Sequence, residues 1–446
     1  MARTAIEIAA AVQLGDLTAR AAATAALDAI AEHDEAIGAF QVVRAEAALR
    51  EADAVDRRTD RFALPLAGVP VAVKDNVPVS GEPMRVGSLA SDPRPQENDH
   101  PVVRRLRRAG AVVVGLTRVP ELCVFATTDS AFGITRNPWN RERTPGGSSG
   151  GSGAAVAAGM VPIAHGNDGM GSVRIPAACC GLVGIRPGFG VVPAELGNGS
   201  WFDMSENGAL ATTVADLAVA LSVLADRTAP AQIVEPGRLR VAVSGRSPLV
   251  GGPVAAAWRG AARSAARTLA EAGHTVRQAD PPYGQRAGWA AIARWLAGTE
   301  LDARIQLEPG RLAARTRRHA AVGRALLRIG LPKPAGQEQW IRRAERFFGD
   351  YDVLVTPALA QSPPRASSWA QRGWAANVVS NARYAPFAAP WNLAGWPAMT
   401  VPVGIGEDGL PLAVQLVTTS GGEARLLSLA AQLEMRRPWP RLAPGY

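Results

Sequence analysis

Pro70-Val71-Ala72-Val73-Lys74-Asp75-Asn76 opens the stretch, running on to Gly115, that decides the fold class. Residues 69–74 are an apolar run of strand length that ends in a charge. Residues 101–109 then set Val102, Val103 and Leu106 against Arg104, Arg105, Arg107 and Arg108, the spacing of an amphipathic helix. Ala111-Val112-Val113-Val114-Gly115 is a second short, buried strand. Strand, helix, strand in that order is the building unit of an α/β protein. The expectation is one large α/β domain whose central mixed, mostly parallel β-sheet is covered by helices on both faces.

The lysine in this stretch is unusual for the chain. Of 48 basic residues, only Lys74 and Lys333 are lysines. Arginine keeps its charge under all ordinary conditions, whereas a buried lysine can lose its proton. Lys74, at the end of a buried strand, is read either as a neutral amine with a chemical task or as a snorkelling side chain that arginine did not replace. Lys333, between Pro332 and Pro334, is read as a loop residue.

Outward from this unit, residues 4–31 show helical apolar spacing, and 41–57 continue as a second helix. A polar stretch, 127–153, leads into a buried helix at Ala154–Gly159, and a further helix spans 211–225. Arg238–Val243 and His274–Ala279 read as strands around a helix at 253–272. Residues 285–350 are mostly helical. Leu354–Thr356, Met399–Val403 and Leu412–Val417 are late strands, with Glu407-Asp408-Gly409 as the turn between the last two. Residues 422–435 close the chain as a helix. No internal repeat or linker divides residues 1–446, so a single domain is expected, with 226–350 its least regular part.

Composition excludes several classes. The chain has 446 residues, 47% of them hydrophobic, enough for a large core. Three cysteines (Cys123, Cys179, Cys180) cannot form a disulfide framework. The N-terminus lacks the apolar core of a signal peptide, and no apolar stretch is long enough to span a bilayer. The expectation is a soluble, cytoplasmic protein without a membrane partner. Five scattered histidines give no metal-ligand spacing, so neither metal nor cofactor is expected. The net charge of +9 is partly local. Residues 311–346 carry ten basic side chains against Glu338 and Glu345. The cluster is read as a solvated helical face rather than a nucleic-acid site, since no recognition motif accompanies it.

The chemistry lies in Thr144-Pro145-Gly146-Gly147-Ser148-Ser149-Gly150-Gly151-Ser152-Gly153. A flexible linker would not run straight into Ala154-Ala155-Val156-Ala157-Ala158. A phosphate-binding loop would need Gly-Lys-Ser/Thr at its end, which is missing. Gly146-Gly147-Ser148-Ser149-Gly150 satisfies the G-x-S-x-G pattern of a nucleophile elbow, but the residues before it read as a loop, where an elbow needs a strand. Of the downstream histidines, none of His165, His274 and His319 has a neighbourhood that marks it as a base. A second serine stands in Asn167-Asp168-Gly169-Met170-Gly171-Ser172-Val173-Arg174, 24 residues after Ser148, among glycines that leave backbone amides free.

A lysine followed by serines in two glycine loops resembles the amidase signature family of serine hydrolases. Residues 65–88 are similar to that family's lysine region, 120–187 to its signature block, and 386–403 to its C-terminal region. The similarity weakens across 226–350, where family members differ most and shape their substrate pockets. The resemblance implies a triad in which Lys74 is the base, Ser148 the relay and Ser172 the nucleophile, with a cis peptide at Gly147–Ser148. Neutral Lys74 would take a proton from Ser148 as Ser148 takes one from Ser172, and Ser172 would form an acyl-enzyme with a carboxamide. The backbone amides of Gly169, Met170, Gly171 and Ser172 would form the oxyanion hole. Ser149, Asp168 and Arg174 would support the loops, and Cys179 and Cys180 would pack.

One departure from the family pattern is Met170, which stands where a glycine is usual. It is strained if the position needs positive φ; otherwise its side chain reaches the acyl pocket. Seven of the eleven tryptophans lie between 289 and 396. They are read either as core and surface packing or as a pocket in which Trp289, Trp374 and Trp396 hold an aromatic or bulky amide substrate, with arginines reading a carboxylate. The leading expectation is a stand-alone amidase for a small-molecule amide, with a homodimer allowed. The alternatives are a glutaminase subunit of a tRNA-dependent amidotransferase, an acyl transferase, and a catalytically impaired homologue used for binding.

Overall fold

The computed structural model describes residues 3–249 and 251–446. In chain order its strands are β1 (Phe40–Val43), β2 (Pro70–Lys74), β3 (Val112–Thr117), β4 (Asp129–Ser130), β5 (Gly133–Ile134), β6 (Ile163–Asp168) and β7 (Val183–Arg186). They continue with β8 (Glu206–Ala211), β9 (Arg240–Val243), β10 (Thr275–Gln278), β11 (Val353–Pro357), β12 (Ala398–Ile405) and β13 (Pro411–Val417). β4 and β5 form a separate small ladder. The other eleven make one sheet in the order β1-β3-β2-β6-β8-β7-β12-β13-β11-β9-β10.

The sheet is mixed, as expected, but parallel pairing does not dominate it. Four of its ten pairings are parallel, β3-β2, β2-β6, β11-β9 and β9-β10, all in its outer parts. The other six, including the whole run β6-β8-β7-β12-β13-β11, are antiparallel. The strand–helix–strand unit at 70–117 is parallel and was legible. Missing from the sequence reading were β6, β7 and β8, the strands that turn the centre antiparallel. β6 (Ile-Ala-His-Gly-Asn-Asp) and β8 (Glu-Asn-Gly-Ala-Leu-Ala) carry few of the branched and aromatic residues that mark strands, and β7 (Val-Gly-Ile-Arg) is only four residues long, yet every residue in the three is buried.

Other boundaries moved for local reasons. The single helix expected at 4–31 is two, Ala5–Leu14 and Ala19–Ile37. Gly15 ends the first at φ 84°, and the Thr18 side chain caps the second by accepting the Ala21 amide. The helix expected at 41–57 begins only at Ala45, because Phe40–Val43 pairs antiparallel with β3. The helix expected at Ala154 begins at Gly150, inside the glycine-serine run, and all eight of its residues are buried. It packs beside β6 and the helix Arg174–Cys180, so both glycine loops end in buried helices over the same part of the sheet.

The basic cluster at 311–346 is not simply a solvated face. It forms the helices Ala314–Arg328 and Ala335–Asp350. Arg315 is fully buried, ion-paired to Asp129 at 3.1 Å and lying over the Phe125 ring. Arg324 pairs with Glu300 on the neighbouring helix Gln285–Arg304. Among the described residues, no helix is long and apolar enough to cross a membrane.

Candidate active site

Lys74 ends β2, and Asn167 lies near the end of its parallel neighbour β6, so both strands deliver their last side chains to one place. Lys74 is fully buried. Its Nζ lies 2.7 Å from Ser148 Oγ, 2.7 Å from Asn167 Oδ1 and 3.3 Å from the Asn167 carbonyl. The Asn167 amide nitrogen donates to Asn76 Oδ1 at 2.7 Å, which turns Oδ1 toward the amine. A neutral amine has two N–H donors and one lone pair. With Lys74 in its neutral form, the two Asn167 oxygens would accept these donors and the lone pair would be left for the Ser148 hydroxyl. Burial pushes the Lys74 pKa below its ordinary value, against the opposing pull of Cys123 and Asp168.

Ser148 follows a cis peptide bond from Gly147 and is buried. Ser172 lies just ahead of the helix Arg174–Cys180, and its carbonyl accepts the Ser149 amide at 3.1 Å. Ser148 and Ser172 line the same cavity. Among the described residues, the Ser172 hydroxyl makes no hydrogen bond, so it is unencumbered at the cavity wall. Ser149 is one step removed from the triad. Its Oγ donates to the Asn167 carbonyl, the oxygen that also faces Lys74.

The loop 168–172 is shaped by Asp168. Its carboxylate accepts the amides of Gly171 at 2.6 Å and Val173 at 3.2 Å, and pairs with Arg174 at 2.8 Å. The remaining guanidinium donors go to Asn392 Oδ1, Gln415 Oε1 and the Ala388 carbonyl. Lysine could not make this set of bonds. Burial alone would raise the Asp168 pKa; the charge and hydrogen bonds of Arg174, with the Asn392 amide, outweigh it and hold the carboxyl well below its ordinary range. Asp168 and Arg174 are thus ion-paired to each other beneath the loop 168–172.

This arrangement corrects the expected set of oxyanion donors. The Gly171 amide points inward to Asp168 and is not available. The amides of Gly169, Met170 and Ser172 have no hydrogen-bond partner among the described residues. Met170 does not have positive φ; the left-handed position is Gly171, at φ 109°. The methionine is therefore unstrained, and its side chain reaches an apolar cavity.

Two cavities meet at Ser172. The first, about 90 Å³, is the more polar of the two: Ser148, Asn76, Asn167, Ser205, Asp302 and Gln306 line it, together with the apolar Met84, Val86, Leu122, Leu196 and Ile305. The second, about 190 Å³, is apolar and includes Phe125, Met170, Ile175, Ala291, Trp295 and Pro390. Trp201 lines both. The expected pocket tryptophans lie elsewhere. Trp289 is exposed, Trp396 stacks in the core on Trp391, and Trp374 donates to His319. Helical spacing puts Trp295, not Trp289, on the inward face of the helix Gln285–Arg304. No arginine lines either cavity among the described residues, so the expected carboxylate reader is absent there.

The histidines are structural. His165 accepts the Lys74 amide and bonds Asn207, and burial pushes its pKa down to about 3. His319 sits among Phe125, Trp295 and Trp374. His274 accepts the Leu239 amide. Cys179 and Cys180 are buried, and burial pushes both thiols up. Sequence reasoning missed Asn167, Asn76, Trp201 and Asp302. Asn167 had a usable signal: it is a polar residue in an otherwise buried strand, two positions from His165 and on the same face.

The Amidase family profile matches residues 21–427. This chain belongs to the amidase family. AmiB2 of Mycobacterium tuberculosis is 41% identical over 442 residues, spanning 97% of this chain and 95% of its own. The structure of a 6-aminohexanoate cyclic dimer hydrolase complexed with substrate superposes with a TM-score of 0.86 at 28% identity, covering 99% of this chain and 98% of that one. A bacterial aryl acylamidase of the amidase signature family shares the fold at a TM-score of 0.84 and 23% identity, over 98% and 96% of the two chains. As a family member, the chain is a hydrolase acting on carbon–nitrogen amide bonds.

Proposed function

We propose that this amidase hydrolyses a small carboxamide through an acyl-enzyme on Ser172, with Ser148 as relay and Lys74 as base. The observation that carries the reading is the buried Lys74 amine, 2.7 Å from Ser148 and, among the described residues, without an ion-paired carboxylate. The amine takes the Ser148 proton as Ser148 takes that of Ser172, and Ser172 Oγ attacks the carbonyl carbon. The negative charge on the carbonyl oxygen meets the free amides of Gly169, Met170 and Ser172. Ser148 then protonates the departing nitrogen, and water repeats the sequence on the ester.

Ser148 lines only the smaller cavity, the more polar of the two, so the departing amine belongs on that side. The acyl group then occupies the apolar cavity, which favours an aromatic or bulky acyl chain. A glutaminase needs a cation for the α-carboxylate of glutamine, and no described basic side chain lines either cavity. A closed, binding-only site is opposed by the two cavities that reach Ser172.

The test is mass spectrometry after treatment with a serine-reactive fluorophosphonate. One adduct on Ser172, lost or slowed in Ser148→Ala and Lys74→Ala, is the expected result. No adduct on the folded wild type would overturn the reading. Product analysis with added amines separates hydrolysis from acyl transfer.

A further inference from the structure

Asp302 lies on the helix Gln285–Arg304, opposite the loop 196–203. In that loop Ser200, Trp201, Phe202 and Asp203 all have φ between 47° and 64°. Four consecutive side-chain-bearing residues in the left-handed region need outside support. Asp302 supplies some of it: Oδ1 accepts the Asn198 amide at 2.7 Å, and Oδ2 accepts Trp201 Nε1 at 2.8 Å. The loop also closes on the carboxylate at Gly197, where a Cβ would lie 2.2 Å from Oδ1.

Support alone does not explain a carboxylate here. Two residues earlier on the same helix, Glu300 takes both Arg304 and Arg324. Asp302 forms no ion pair among the described residues, in a chain with 46 arginines. Its two neutral donors leave lone pairs free on both oxygens. Burial pushes its pKa up to about 6, against the Asn198 amide and the Trp201 indole, and no described cation stands beside it. It is also the single carboxylate among the side chains lining either cavity.

We infer that Asp302 is a specificity-determining residue that selects amides whose amine half carries a second, positively charged group, a protonated primary amine on a short alkyl chain. The inference rests on the assignment of the polar cavity to the departing amine. That cavity, of about 90 Å³, has room for a slender ammonium chain. Asn76, Ser205 and Gln306 offer further polar atoms along its wall. The countercharge missing from the protein is then brought by the substrate. Its amine product leaves as a diamine, so the reaction that supplies the substrate is the acylation of a diamine by a bulky acid.

The experiment compares monobenzoyl putrescine with the benzoyl amide of pentylamine, which replaces the ammonium by a methyl group. Wild type is expected to prefer the cationic amide in kcat/KM by about tenfold or more, the scale of a hydrogen bond to a charged group. Asp302→Asn keeps an oxygen acceptor for the loop and is expected to bring the ratio near one, mainly through KM. Trp201→Phe removes the indole bond to Asp302 and is expected to keep the preference. Equal loss on both amides in Asp302→Asn would make Asp302 a loop support only and overturn the inference. So would a wild type that shows no preference. If Asp302→Asn does not fold, inhibition of wild type decides: putrescine is expected to inhibit about tenfold more tightly than pentylamine, and equal inhibition overturns the inference. If Ser172 takes the fluorophosphonate and benzoyl amides are cleaved without preference, this inference alone fails. If Ser172 takes no label and no amide is cleaved, the proposed function fails with it.

Discussion

The two cavities that meet at Ser172 differ in how they are built. The more polar one is walled by residues at the ends of β2 and β6 and by the loop 196–203, and its polar side chains bond in pairs, Asn167 to Asn76 and Trp201 to Asp302. The apolar one is walled largely by helices of the later chain, including Ala291 and Trp295, and by the 386–390 segment. One wall is fixed by directional bonds and the other by packing. Hydrogen-bonding sites discriminate sharply between substrates, whereas apolar pockets discriminate by a few kcal/mol per group at most. The polar side should therefore set which amines are accepted, and the apolar side a graded preference in acyl size.

Variants at the shared floor should silence both sides, and these have the largest expected effect. Ser172→Ala and Lys74→Arg are each expected to cut amide turnover by at least about a thousandfold, read as kcat/KM on any amide. Arginine keeps the charge but cannot give up its proton. In wild type, the rate of fluorophosphonate labelling should climb with pH and level off below the ordinary lysine value of 10.5, because burial lowers the pKa of Lys74. The groups around that amine are Asn167, Ser148, Cys123, Asp168 and His165. A rate that keeps climbing past 10.5 would place the active base elsewhere.

Asp168→Asn comes next, since it loosens the wall common to both cavities. Breaking a buried ion pair on one side costs about 3–5 kcal/mol, measurable by urea unfolding. The Asp168 pKa is depressed in the folded protein, so its contribution is complete above the ordinary value of 3.8 and is lost as pH falls through the folded value. The stability gap between wild type and variant should hold steady from about pH 8 to 5 and narrow only in stronger acid.

Smaller effects should fall on the apolar side alone. Ala291→Phe fills part of that cavity and should lower the ratio of benzoyl to acetyl amide turnover by about tenfold or more. An unchanged ratio would remove the acyl group from this cavity. Met170→Gly, at a position without positive φ, should shift the preferred acyl chain upward by about one or two methylenes, a change of several-fold.

How much could be read in advance follows the same division. That Lys74, Ser148 and Ser172 belong together could be read from their residue types and loops, and the structure sets Lys74 beside Ser148, and Ser148 and Ser172 on one cavity. The parallel unit at 70–117 was legible because Val71, Val73 and Val112–Val114 are strand formers. The middle of the sheet was not, because β6 and β8, apart from Ile163 and Leu210, are glycine, alanine and polar residues whose burial comes from neighbours far along the chain. The apolar cavity was misassigned for a related reason. Composition marks tryptophan as important but does not say which face of a helix it occupies, and Trp295 rather than Trp289 faces inward. The occupied Gly171 amide depends on a carboxylate three residues back, a geometry that residue types alone do not display.

The glycine-serine run has one more consequence. Gly150 would place a Cβ 2.1 Å from Thr128 Oγ1, and Gly151 one 2.5 Å from the Ala39 carbonyl. Its glycines are there because other segments of the chain pass within touching distance. A protease that seeks loose polyglycine will find nothing to cut here, and an engineer who chooses this run to splice in a tag or a second protein will have chosen one of the least yielding places in the chain.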